Sequence, residues 1–186
     1  NLSPFTFQSL LNDPENIKEN FESYLNHFSE NVIDIIHRMD FDRELQKMAD
    51  NNVLYLVIKE FCTAKAYLGA DVLTSVDMGY IFEELVRKFS ESYDEQAGAH
   101  FTARDIIYLM AELLVGNDEQ KLEREGITAS IYDMAMGTSQ MLGCLTERFL
   151  KIDPEAEITS YGQELNNQTF AIAKADTLIK GGNADN

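Results

Sequence analysis

Tryptophan is absent from this 186-residue chain, and cysteine, histidine and proline occur only two, three and three times. Cys62 and Cys144 both sit in apolar helical patterns, so they form neither a disulfide framework nor a zinc site. They read as small buried hydrophobes in a reducing compartment. His27 and His37 have no second ligand at metal spacing, and His100 falls in a separate polar stretch. That scatter excludes a Ser–His–Asp or Cys–His arrangement, and no metal site is expected. Positive charge is scarce as well, with 15 basic against 32 acidic residues and a net charge of −17. The average field repels a polyanion, so any grip on nucleic-acid phosphates must come mostly from other residues or subunits. No window approaches the ~18 apolar residues of a membrane span. The opening "NLSPFTFQSLLNDPEN" lacks the basic and apolar regions of a secretory signal. A soluble, cytoplasmic protein is expected, and the initial Asn1 points to residues missing upstream.

What is present is enough apolar residue, 45%, to build a core. The first half has helical periodicity. Asp13 and Pro14 read as N-cap and first helical residue before Ile17, Phe21, Tyr24, Leu25 and Phe28. Further stripes are Val32 to Met39, opened by Ser29 or Asn31, and Phe41, Leu45, Met48. From Asn52 to about Leu68 the apolar residues fall on several faces, which predicts a central, well-covered helix. Ser75 reads as the cap of the next helix, which carries Met78, Ile81, Phe82, Leu85, Val86 and Phe89. After the polar "SESYDEQAGAH", Thr102 and Asp105 predict a capping box for a helix that Gly116 closes.

From Ile127 the period changes. "ITASIYD" reads as a strand, "MAMGTS" as a loop, Gln140 to Leu150 as a helix, "AEITSYGQE" as a second strand and "NQTFAIAKADTLIKG" as a last helix. Strand–loop–helix–strand–helix is the opening of a parallel sheet with right-handed crossovers. In such sheets ligands sit beyond the carboxyl ends of the strands. Asp133 ends the first strand and Gly137 lies in the turn that follows. Ala135, Gly137 and Ser139 are small enough for a ligand to approach the backbone, and Glu164, read as the end of the second strand, can accept from both hydroxyls of a ribose. "DMAMGTS" is neither a G-x-G-x-x-G fingerprint nor a Walker A loop. On spacing alone, Gly137 as a plain tight turn and Glu164 as a solvated strand end remain an open alternative.

Three blocks in order carry a family resemblance. The run from Met78 to Leu114 looks like the segment leading into the catalytic domain of modification (HsdM-type) subunits of type I restriction–modification systems, which are N6-adenine DNA methyltransferases. Gly98 to Arg104 is similar to that family's "GE-F-[FY]-T-P-R" stretch, "IYDMAMGTSQML" to its "YDPACGTGGML" loop, and "YGQELNNQTFAIAKADTLIKG" to "GQELNPETYAIAKMDMLIKG". The N-terminal helices resemble its helical domain. This chain departs at Met134, Met136, Ser139 and Gln140, where the family has Pro, Cys or Thr, Gly and Gly, and at Ala103, where it has Pro.

The resemblance implies a mainly α N-terminal helical domain over residues 1–74, followed over 75–186 by the start of an α/β Rossmann-like S-adenosylmethionine-dependent methyltransferase domain. It implies S-adenosylmethionine as cofactor, with Phe101, Thr102, Asp133, Gly137, Ser139 and Glu164 as the cofactor-binding residues. A DNA-specificity subunit and a restriction subunit are the implied partners, and DNA is reached only through the assembled complex. The family's Asn-Pro-Pro-aromatic motif, which holds the flipped adenine, occurs nowhere in the sequence. The chain therefore reads as an N-terminal fragment whose catalytic residues lie downstream of residue 186, inactive by itself. Two other readings stand beside this one: a non-catalytic helical docking module with a degenerate cofactor loop, and a nicotinamide-dependent dehydrogenase.

Overall fold

The computed structural model describes residues 3–69, 71–92, 102–116 and 126–184. The chain divides into two compact units, Asn1–Met78 and Gly79–Asn186. The first is helical: a 3-10 turn at Ser9–Asn12, then α1 (Ile17–Leu25), α2 (Glu30–Arg38), α3 (Phe41–Asp50) and α4 (Leu54–Phe61). Its core is Leu10, Ile17, Phe21, Leu45, Leu54 and Ile58, edged by Phe5, Phe7, Tyr24 and Phe41. Phe7, Phe21 and Tyr24 meet at centroid separations of 5.9 to 6.2 Å, within the range of favourable aromatic pairs.

Local capping departs from expectation in instructive ways. The first helix begins at Ile17 after Asn16, not at Pro14. The Asp13 carboxylate takes the side-chain amides of Asn16 and Asn20 at 3.0 to 3.1 Å, and those bonds hold its pKa below the ordinary value. The apolar stretch after Asn52 gives only the eight residues of α4. Leu54 and Ile58, four apart on one stripe, are buried, whereas Leu56 and Phe61 are 59% and 54% exposed. That helix is covered on one side only. Its other apolar residues project away from the single stripe that can face the core.

The second unit opens within α5 (Ser75–Ser92) and continues with α6 (Arg104–Val115), β1 (Thr128–Asp133), α7 (Gln140–Ile152), β2 (Glu157–Gly162) and α8 (Asn167–Ile179). The cap of α5 is Thr74 rather than Ser75. The Thr74 hydroxyl accepts from the Asp77 N–H while the Asp77 carboxylate accepts from the Thr74 N–H, a capping box closed by Asp. For α6 the cap shifts by one residue: Ala103 takes the N-cap position with no side-chain bond, and Asp105 accepts from the adjacent Ile106 N–H. Gly116 does end that helix.

The strands β1 and β2 pair in parallel, Thr128 with Glu157 through Asp133 with Gly162, and α7 makes the connection. One face of the pair packs on α7, which in turn packs on α6. The core there is Ala111, Val115, Ile131, Leu142 and Leu145. Tyr132 and Tyr161, partners in register, stay exposed on the other face. Observed so far is a mostly helical chain with one small parallel sheet. Among the described residues no helix is long and apolar enough to cross a membrane.

Asp153, only 5% exposed, fastens the base of the sheet. Its carboxylate accepts from Ile127 N at 2.9 Å and from Glu155 N at 3.0 Å, tying the entry of β1 to the turn before β2. Asp153→Ala leaves two backbone donors without their charged acceptor. The expected cost is about 1.5–3 kcal/mol, read as a lowered urea midpoint.

Candidate functional site

The carboxyl ends of β1 and β2 carry two loops that are knitted together through the backbone. Gln163 N donates to Asp133 O and Met136 N donates to Gln163 O, both at 2.9 Å. The Asp133 side chain folds back to accept from Ala135 N at 3.0 Å, an Asx turn that starts the loop as the strand ends. Met136 turns its side chain against Gly162 and Leu142. A Cβ at Gly162 would collide with the Met136 sulfur, so the absence of a side chain there lets this large residue pack inward. Met134 instead stays 74% exposed.

Glu164 lies two residues beyond the end of β2 rather than at its last position, because the strand ends at Gly162. Its two carboxylate oxygens accept from different backbones: Oε2 from Gly137 N at 3.1 Å and Oε1 from Asn166 N at 2.8 Å. Each oxygen retains a further lone-pair direction. Asn166, not singled out from the sequence, is the N-cap of α8, accepting from Gln168 N and Thr169 N at 2.9 and 3.0 Å. The signal was available as an Asn before a helical run. Its link to Glu164 was not.

Gly137 has φ +57, and among the described residues a Cβ built on it would meet nothing within 4 Å. Ser139 is buried at φ +70. The left-handed conformation costs an L-residue about 1–2 kcal/mol that glycine escapes. Ser139→Gly should stabilise the protein by about 0.5–1 kcal/mol after glycine's extra unfolded-state entropy is deducted, read in thermal or urea unfolding.

The structure thus brings Asp133, Gly137, Ser139 and Glu164 into one pair of loops. Thr102 is exposed just ahead of α6 and makes no hydrogen bond to those loops among the described residues. Phe101 lies outside the described residues. Gln140, the first residue of α7, lines a small cleft with Glu83, Arg104, Tyr108 and Lys180. In that cleft Arg104 Nη2 donates to Glu83 Oε2 at 2.5 Å. Partial burial opposes the guanidinium charge, but the bond to Glu83 and its negative charge prevail and raise the Arg104 pKa. Nearby, buried Asp176 accepts from Lys180 Nζ at 2.7 Å through one oxygen, and the other has no partner among the described residues. Burial raises the Asp176 pKa despite Lys180. Cys62 and Cys144 are free and only half-buried, and burial pushes the Cys144 thiol up.

Among the described residues no cluster of His, Cys, Asp and Glu could hold a metal ion. The loop pair offers a different set: two carboxylates at or just beyond adjacent strand ends, and backbone at Gly137 that no described residue covers. Two carboxylates beside an approachable backbone suit a polyhydroxylated ligand with positive charge, since carboxylates accept from hydroxyls and attract cations.

The sequence model described as N-6 DNA Methylase matches residues 74–186. The chain is 29% identical over 118 residues to the "Type I restriction enzyme HindI methylase subunit" of Haemophilus influenzae, covering 62% of this chain and 23% of that protein. It is 22% identical over 144 residues to the "Type I restriction enzyme MpnII methylase subunit" of Mycoplasma pneumoniae, covering 70% of this chain and 25% of that protein. The matched region is thus about a quarter of the length of these relatives.

Proposed function

The chain belongs to the N-6 DNA methylase family, and from that premise we propose that it is part of the modification subunit of a type I restriction–modification system. The reaction is transfer of a methyl group from S-adenosylmethionine to adenine N6 in a specific DNA sequence. Residues 75–186 supply the start of a Rossmann-like methyltransferase domain and part of its cofactor site. The observation that carries this reading is the Glu164 carboxylate, pinned by the Gly137 and Asn166 N–H groups beside an open backbone.

Each residue has a task that its geometry allows. Glu164, with its orientation already fixed, accepts from the ribose hydroxyls. Asp133 adds negative charge that favours the cationic cofactor. Gly137 lets the cofactor lie close to the backbone, and Ser139 keeps the loop narrow. In this reading Phe101 and Thr102 complete the set of cofactor-binding residues. The cofactor supplies the electrophilic methyl group. No residue in 1–186 forms an Asn-Pro-Pro motif to orient the adenine amine. The 186 residues alone are therefore expected to transfer no methyl to DNA.

The partners in this reading are a DNA-specificity subunit and, for cleavage, a restriction subunit, in the cytoplasm. With a net charge of −17 the chain gains little from counterion release, so DNA is met through the complex. A docking module with a degenerate loop is the second reading. The feature favouring it is the α6 surface, where Leu109, Leu113 and Leu114 are all more than half exposed.

Calorimetric titration of the full-length protein with S-adenosylmethionine and with NAD tests the proposal. Saturable binding of S-adenosylmethionine alone is the expected result. Binding of NAD alone would make it a dehydrogenase, and a folded protein that binds neither would be a docking module.

A further inference from the structure

Glu83 stands outside every segment assigned to the cofactor, yet it holds the residue that ends one of them. Arg104 is the first residue of α6, two positions after Thr102. Its guanidinium is half exposed, whereas the Glu83 carboxyl it grips is only 14% exposed. The fixed member of the pair is therefore Glu83, and the arginine is drawn to it across 21 residues of sequence. Other neighbours bear on the same place. Tyr108 lines this cleft, and so does Gln140, the residue after Ser139. One cleft thus touches the residue that follows the Thr102 segment and the residue that follows the Asp133–Ser139 loop. The N-cap residue of α6, Ala103, has no side chain to cap the helix, and the ion pair ties the first residue of α6 to α5.

We propose that Glu83 is a positioning residue for the cofactor site: through Arg104 it sets the start of α6, two residues after Thr102, against the start of α7, where the Asp133–Ser139 loop ends. The inference rests on the cofactor reading above. A surface ion pair in the open contributes little, but an acid this well covered restricts where its partner can lie, and preorganised supporting contacts set how well a site fits its ligand.

The test is a double-mutant cycle in the full-length protein, reading the dissociation constant for S-adenosylmethionine by calorimetry and the melting temperature of each variant. Glu83→Gln and Arg104→Gln are each expected to weaken binding about tenfold, and the double variant no more than the worse single, as coupled residues behave. Exchanging the pair, Glu83→Arg with Arg104→Glu, should recover affinity to within about threefold of the parent, which a purely structural effect would not do. Should Glu83→Gln fail to fold, Arg104→Lys keeps the charge at the half-exposed position and is expected to show a smaller loss of the same kind. Affinity unchanged in folded Glu83→Gln or Arg104→Lys, or additive losses in the double variant, overturns the proposal. Glu164→Ala run alongside separates the two ideas. If it weakens binding while Glu83→Gln does not, only the positioning role fails, and if neither variant changes affinity, the cofactor site itself has been misplaced.

Discussion

Replacing Glu164 by alanine should weaken S-adenosylmethionine binding about tenfold to hundredfold, the equivalent of 1.5–3 kcal/mol for lost charge-assisted hydrogen bonds. Two effects contribute. In the proposed site the ribose hydroxyls would lose their acceptor, and the loop loses the contact that fixes it, because the same carboxylate accepts from Gly137 N and Asn166 N. Glu164→Gln separates them. Its single amide oxygen can satisfy only one of the two backbone donors, and its NH2 group would face the other. An intermediate loss is therefore expected, with the cofactor released faster as the loop loosens. Melting curves on both variants establish that the fold persists, since Asn166 still caps α8 through its own side chain. Calorimetry decides the matter: affinity unchanged in folded Glu164→Ala removes this acid from the cofactor site.

In the helical unit the largest effect is expected from Leu45→Ala. Leu45 is fully buried among Leu10, Ile17, Phe21, Leu54 and Ile58. Truncation loses the transfer free energy of the removed carbons and leaves a cavity that three helices and a 3-10 turn cannot easily collapse. The cost for such sites is about 2–5 kcal/mol, against a typical domain stability of about 5–15 kcal/mol. Urea unfolding followed by helical circular dichroism should show a midpoint shift of that size. Leu56→Ala, at an exposed position of α4, should be close to neutral in the same experiment. A shift below about 1 kcal/mol for Leu45→Ala would mean that this core is loosely packed.

The elements themselves were largely legible. The periods of 3.6 and 2 located α1 to α3 and the β1–α7–β2–α8 order to within a few residues, because backbone preference and apolar spacing are local properties, whereas α4 stops at Phe61, well short of the expected Leu68. Where expectation failed, the competing physics was also local but evenly balanced. Thr74 and Ser75 are both able caps, and the reciprocal bond from Asp77 chooses Thr74. For α4 the composition gave apolar residues on several faces, but composition alone does not say how many neighbours surround a helix, and Leu56 and Phe61 stay exposed.

The sequence by itself determined the family through three ordered blocks, the helix-then-strand organisation, the acidic balance and the small residues at the end of β1. Only the tertiary structure decided how those residues serve one another. That Glu164 closes on Gly137, 27 positions away, depends on the parallel register that sets Asp133 beside Gly162. That Arg104 turns to Glu83 depends on how α5 and α6 approach, and the inward packing of Met136 depends on finding Gly162 beneath it. The physical reason is the reach of each interaction. Backbone torsions and apolar spacing are read within a turn or two of the chain, whereas a hydrogen bond or a van der Waals contact is satisfied by whichever group packing brings within a few ångströms.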